Sequence, residues 1–165
     1  MINKIGLSLI TMLGIGYVKY APGTVASFIT CLIYYLLFSM GINFNSFFFF
    51  IFVILLICSI VLIDKLSHHF KEKDPKEIVI DEFFGQSIPL VLMSGYIISF
   101  GKVLPVFLAF ILFRFFDIYK PFPINIVDKK MKNGLGVMLD DIIAGVYTSI
   151  TILILGYVYA LYYGY

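Results

Sequence analysis

The chain has 165 residues, 61% of them hydrophobic and 13% charged, with a mean hydropathy of +1.02. Ordinary globular domains are about 25% charged, so the apolar surplus rules out a water-soluble globule and requires lipid around the outside. A net charge of +2 with no basic stripe carrying interleaved aromatics gives no support for a nucleic-acid partner. At this length a single domain, residues 1–165, is expected. Cys31 and Cys58 sit inside apolar runs, where a thiol behaves as a small hydrophobe.

In chain order, Lys4 followed by Ile5–Gly16 mimics a signal peptide, but no small-residue cleavage site follows. The run is also short of the roughly 17–25 residues that a span needs, so a short interfacial or packed helix is expected. Residues 25–42 are uncharged and long enough to cross; Gly41–Asn45 reads as a turn; Ser46–Ile63 is a second span. Asp64–Gln86 is polar. Within it Asp74-Pro75-Lys76-Glu77 has the form of a helix start, with Asp as cap and Glu three residues on. The β-branched Ile78-Val79-Ile80 moves the expected start toward Asp81.

Ser87–Phe100 and Val103–Phe113 are each short for a span, with a turn signal at Gly101-Lys102. They form either a hairpin of two short helices or one long interrupted span. Charge distribution favours the hairpin. All Lys, Arg, Asp and Glu residues except Lys102 fall in residues 1–24, 64–86 and 114–141, and a hairpin puts these stretches on one side. That side then holds 11 of the 12 basic residues, as expected of a cytoplasmic face. Ile142–Leu161 is a fifth span, and the tyrosines from Tyr157 to Tyr165 form an aromatic belt at its far end. The expected architecture is an all-α, polytopic membrane helix bundle of about five membrane helices, with a short N-terminal helix and polar loops on one face.

Two acidic pairs stand at the mouths of apolar helices, Asp81-Glu82 and Asp140-Asp141, and Asp117 ends a third. Neighbouring helical residues point about 100° apart, so one acid of each pair can face inward. Carboxylates converging from separate helices repel unless a cation joins them, and hard oxygen donors suit Mg²⁺ or Mn²⁺. A blander reading makes the pairs helix caps favoured by the macrodipole. Ionisable groups at membrane helices are costly and usually functional, which favours the site. Arg114, the chain's one arginine, lies three residues before Asp117, and Lys120 a further three on. Arginine forks onto phosphate oxygens, and lysine acts as a point charge; topological anchoring is the competing role. Pro22, Gly23, Thr24 and Ser27 open the first span and could present backbone N–H groups to an anion, or form a plain loop-to-helix cap. His68-His69 fits a solvated loop.

No cysteine-phosphatase loop, Asp-x-Asp pair, multi-aspartate transferase pattern or Walker-type glycine loop is present. Metal-assisted attack of water on a phosphate ester remains. In such a site Asp81, Asp117 and Asp140 or Asp141 would hold the ion, and a remaining carboxylate, with Glu82 the candidate, would orient or deprotonate water. Arg114 and Lys120 would bind the phosphate.

Three blocks resemble the phosphatidylglycerophosphatase A family: Ala21–Ser27, Ile78–Gln86, and Phe113–Pro123 with Gly134–Gly145. The resemblance runs over nearly the whole chain. It implies an Mg²⁺-dependent membrane phosphatase of phospholipid biosynthesis, converting phosphatidylglycerophosphate to phosphatidylglycerol in the bacterial inner membrane, with its active face cytoplasmic. It matches Asp81, Glu82, Asp117, Asp140 and Asp141 to the family's acidic positions, and Arg114 and Lys120 to its basic ones. Ala26 stands where Gly is usual, Tyr119 and Phe122 where Trp is frequent, and Asn133 where Gly is common. A related metal-dependent phosphatase acting on another phosphate monoester, or a non-catalytic membrane protein whose charges only fix topology, are the alternatives. Oligomeric state is left open.

Overall fold

The computed structural model describes residues 2–42, 46–70, 75–95 and 101–163. Among them the chain is helical, with no strand: α1 (Ile2–Ile10), α2 (Pro22–Ser39), α3 (Ser46–Leu66), α4 (Ile80–Leu92), α5 (Val103–Tyr119), α6 (Ile124–Lys130) and α7 (Gly134–Tyr163). Short 3₁₀ turns follow α1 (Ile15–Tyr17) and α3 (Ser67–His69). Three of these helices, α2, α3 and α7, are long and apolar enough to cross a membrane. This is a membrane protein.

α4 is the centre of the packing and lies against α2, α5 and α7. Phe84, Leu90 and Gln86 on α4 are almost wholly buried. One apolar cluster joins Cys31, Tyr34 and Phe38 of α2 to Leu90, Val106, Ala109 and Ile152. A second joins Ile10, Ile63, Leu66, Ile78, Phe84 and Met138 across α1, α3, α4 and α7. Only 17% of the apolar window of α3 is buried, so that helix presents most of its surface to lipid. Lipid tails are as apolar as leucine, so close packing of small residues has to hold the helices together. The buried hydroxyls among them are satisfied within their own helices: Ser27, Thr30, Ser87, Thr148 and Ser149 each donate to the carbonyl four residues back.

Several boundaries differ from the sequence expectation. α1 ends at Ile10, and the rest of the expected N-terminal helix is turn and 3₁₀; Val79 N donates to the Ile10 carbonyl at 3.0 Å, which ties the segment before α4 to this turn. α4 starts at Ile80, with residues 75–79 outside the helix, so the β-branched run shifts the start as expected; Asp74 lies outside the described residues. α5 runs two turns beyond Phe113, carrying Arg114 and Asp117, and stops where Lys120 takes a left-handed conformation (φ 45°) ahead of Pro121. α7 has 30 residues, about 45 Å of helix against a hydrocarbon core of about 30 Å. The excess of about 15 Å leaves room for its first turns, which carry Asp140 and Asp141, to stand clear of the apolar layer.

α4 enters and α5 leaves at the same end of the bundle: Arg114 near the end of α5 approaches Glu82 in the first turn of α4. This is the antiparallel arrangement of a hairpin, with Lys102 at the opposite end; the connection at 96–100, like the turn residues 43–45, lies outside the described residues. The starts of α2, α4 and α7 and the end of α5 meet on one face.

Candidate active site

Where those ends meet, a cavity of about 460 Å³ opens on the polar face. Its position follows from two glycines. Gly85 lies one turn after Asp81 on α4, and Gly145 one turn after Asp141 on α7. A Cβ on Gly85 would stand 2.7 Å from both the Asp141 carbonyl and the Phe113 ring, and one on Gly145 would strike the Gly85 carbonyl. Without side chains at these points α4 and α7 cross in backbone contact, and the acids one turn earlier on each helix face each other. The likeness between Asp81-Glu82-x-x-Gly85 and Asp140-Asp141-x-x-Ala144-Gly145 thus has a packing origin. Gly23 does the same for α2, since a Cβ there would collide with the Glu82 carboxylate.

Asp81, Glu82 and Asp141 form a cluster in which one candidate ligand oxygen from each lies within 4.8 Å of the others. Each of the three also carries a buried oxygen with no hydrogen-bond partner among the described residues: Asp81 Oδ1, Glu82 Oε2 and Asp141 Oδ2. Buried polar atoms are ordinarily partnered, so these three oxygens suit a cation. An all-carboxylate donor set fits a hard ion such as Mg²⁺.

The remaining expected acids stand on the same cavity wall but against cations. Asp117 accepts from Arg114 Nη1 at 2.6 Å, and Asp140 accepts from Lys120 Nζ at 2.8 Å. Arg114 Nη1 also lies 3.9 Å from Glu82 and 3.4 Å from Ser27 Oγ, so α2, α4 and α5 all fix the guanidinium. Lys120 donates as well to Asp128 on α6 at 2.8 Å. Burial pulls the Lys120 ammonium down, but the two carboxylates outweigh it and hold it above the ordinary lysine range. Burial likewise raises Asp128, but Lys120 and then Lys132 bring it below the usual carboxylate range. Asp140 and Asp141 lie two turns into α7, too far along to cap it. That role falls to Asn133 and Asp64, whose side chains accept from Gly136 N at 3.0 Å and Gly134 N at 2.5 Å.

Pro22, Gly23 and Thr24 line the cavity with the N-terminus of α2, whose free N–H groups favour an anion. Ser27 sits behind them and acts on Arg114. His68 and His69 are not among the lining residues. The sequence reading passed over Asp64, Lys76, Asp128 and Lys132, which the fold brings to the site from outside the motifs. Six carboxylates and four cations line the cavity. A phosphomonoester dianion would therefore enter a space already carrying formal charge −2, and a divalent cation removes that obstacle.

The chain matches the phosphatidylglycerophosphatase A family over residues 8–156. It is 36% identical over 146 residues to the phosphatidylglycerophosphatase A of Haemophilus influenzae, covering 87% of this chain and 84% of the relative. Identity to the Escherichia coli protein of the same name is 30% over 137 residues, covering 82% and 74%. A Bacteroides thetaiotaomicron protein provisionally named phosphatidylinositol-3-phosphatase is 35% identical over 146 residues, covering 86% and 87%. No solved structure matches. By the extent of the family match and these identities, the chain belongs to the phosphatidylglycerophosphatase A family.

Proposed function

We propose that the protein is an Mg²⁺-dependent lipid phosphatase that hydrolyses phosphatidylglycerophosphate to phosphatidylglycerol and phosphate at the cytoplasmic face of a bacterial inner membrane. The observation that carries this reading is the cavity itself. Three closely grouped carboxylates, each with one buried oxygen unpartnered among the described residues, stand beside a fixed arginine and lysine at the polar end of a membrane bundle. The names of the two relatives supply the substrate, and the concentration of basic residues at the cavity end supplies the orientation.

In this reading Asp81, Glu82 and Asp141 would hold the cation. When bound, it supplies a Lewis acid and neutralises charge on the phosphoryl oxygens. Arg114, aligned by Asp117 and Ser27, grips two phosphate oxygens, and Lys120, braced by Asp128 and Asp140, offsets charge that grows as the ester bond breaks. The N–H groups of Gly23 and Thr24 complete the cradle. Asp117, joined to Arg114, holds the guanidinium on the cavity wall, and Glu82, whose Oε2 has no partner among the described residues, also orients or deprotonates the attacking water.

Phosphate release from phosphatidylglycerophosphate, phosphatidylinositol 3-phosphate and phosphatidic acid, by purified protein in detergent, tests the substrate. Preference for the first is expected. Preference for the second would transfer the protein to the specificity in the Bacteroides relative's name, and no release from any by folded protein would favour a non-catalytic role.

A further inference from the structure

A second cavity, about 270 Å³, runs between α2 and α5 and carries no charged residue. Phe28, Cys31 and Leu32 of α2 face Val106, Phe107 and Phe110 of α5 across it. Its position relative to the polar cavity is specific. Phe28 directly follows Ser27, and Phe110 lies one turn before Arg114, the two residues whose side chains meet at 3.4 Å in the polar site. The Phe28 and Phe110 rings meet edge to face, 6.1 Å between centroids, at the groove end nearest Arg114. From there the groove follows both helices into the apolar layer. Phe28, Leu32 and Phe107 are each about half exposed, so the groove is open sideways to lipid.

We propose that this groove seats an acyl chain of the substrate lipid while the terminal phosphate occupies the acidic cavity. The inference rests on the proposed phosphomonoester site and extends it to the apolar half of the substrate. The occupant is set by continuity. A phosphate held by Arg114 belongs to a molecule whose hydrocarbon must leave the polar cavity, and the uncharged groove begins at Phe28 and Phe110, one residue after Ser27 and one turn before Arg114. A chain entering from the bilayer passes from one apolar medium to another, so the groove adds little by transfer. It acts by alignment: a chain seated between α2 and α5 fixes the headgroup over the carboxylates, and misplacement of a reacting group by about 1 Å costs on the order of a hundredfold in rate. Another apolar groove of about 270 Å³ lies on a different face of α2, lined by Leu9, Met12, Ile29, Ile33, Ile80 and Phe83. It has no contact of this kind with the Arg114 guanidinium and serves as the comparison.

The test uses the full chain in mixed micelles with two substrates: diacyl phosphatidylglycerophosphate and its deacylated, water-soluble counterpart with the same headgroup. Leu32→Trp fills the α2–α5 groove, and Ile33→Trp fills the other. Leu32→Trp is expected to lower kcat/KM on the diacyl lipid roughly ten- to hundredfold and to leave the deacylated substrate unchanged, whereas Ile33→Trp changes neither. Equal loss on both substrates with Leu32→Trp, or chain-selective loss with Ile33→Trp instead, would overturn the proposal. A photoactivatable diazirine in the acyl chain gives a readout independent of turnover and of how the variants fold. Labelling of wild-type α2 and α5 around Leu32 and Phe107 is expected, and labelling confined to α3 or spread evenly over the lipid-facing helices would refute the groove. Wild-type protein inactive on both substrates yet labelled in the groove would fail the headgroup reading alone.

Discussion

Replacing Asp141 by asparagine separates the cost of the acid cluster from its use. The side chain keeps its shape and loses its charge, and no hydrogen bond to its carboxylate is given up among the described residues, where Oδ2 has no partner. With oxygens within 4.8 Å, two unit charges at an effective dielectric near 20 repel by about 3.5 kcal/mol. Where Asp141 is ionised beside one other charged carboxylate of the trio, the substitution relieves up to that amount. For a chain of this size this corresponds to a thermal midpoint higher by roughly 7–14 °C. If the cluster holds Mg²⁺ as proposed, the ion at a hundred times its Kd would stabilise the wild type by about 2.7 kcal/mol through binding the folded state, and the variant, short of one ligand, much less. Thermal unfolding in detergent, in EDTA and then across an Mg²⁺ titration, reads both effects, and phosphate release reads the loss of activity. The expected variant is more stable than wild type in EDTA, unresponsive to Mg²⁺ and inactive. A variant that unfolds at a lower temperature in EDTA and keeps the wild-type Mg²⁺ shift would refute the cluster as a cation site.

Arg114→Lys retains charge but not the fork, and kcat/KM is expected to fall about 10²- to 10³-fold; an unchanged value in steady-state kinetics would remove Arg114 from phosphate binding. Gly85→Ala drives a methyl into the Asp141 carbonyl and the Phe113 ring, costing about 1–3 kcal/mol and most of the activity, whereas Gly95→Ala, in open space, is neutral in the same melting and turnover assays. Asp64→Ala removes a cap from α7 and should cost about 1 kcal/mol with kcat retained; a large fall in kcat would make Asp64 part of the chemistry. The Asp128 carboxylate is held below its ordinary range, so the stability it contributes is present above about pH 4 and fades as pH falls through the depressed value. The gap in melting temperature between wild type and Asp128→Asn should therefore shrink with acid, and a gap that widens would contradict the Lys120–Asp128 bridge.

The polar face was legible in the sequence because charge is confined there: one isolated lysine, Lys102, against three charged stretches was enough to choose the hairpin over a single span. The residues that meet at the cavity were legible for the same reason, since carboxylates and an arginine at membrane helix ends have few structural uses. Their partition was not. Whether Asp140 or Asp141 faces the acid cluster depends on the rotation of α7 about its axis, which the contact of Gly145 with Gly85 sets from 60 residues away. Pairing of Lys120 with Asp128 depends on how the chain turns at Pro121 and Pro123, and the Asp64 cap on α7 spans 70 residues. Asn133, a departure from the usual glycine, becomes intelligible only as a cap of α7. Local spacing carries helix faces; it does not carry which face meets which.

Phosphate release from phosphatidylglycerophosphate by purified, EDTA-stripped protein, followed as Mg²⁺ is restored, bears most directly on the cavity as a cation-dependent phosphomonoesterase. Release that is absent in EDTA, returns with Mg²⁺ and is lost in Asp81→Asn is the predicted result. Release that persists undiminished in EDTA, or in Asp81→Asn, would contradict it.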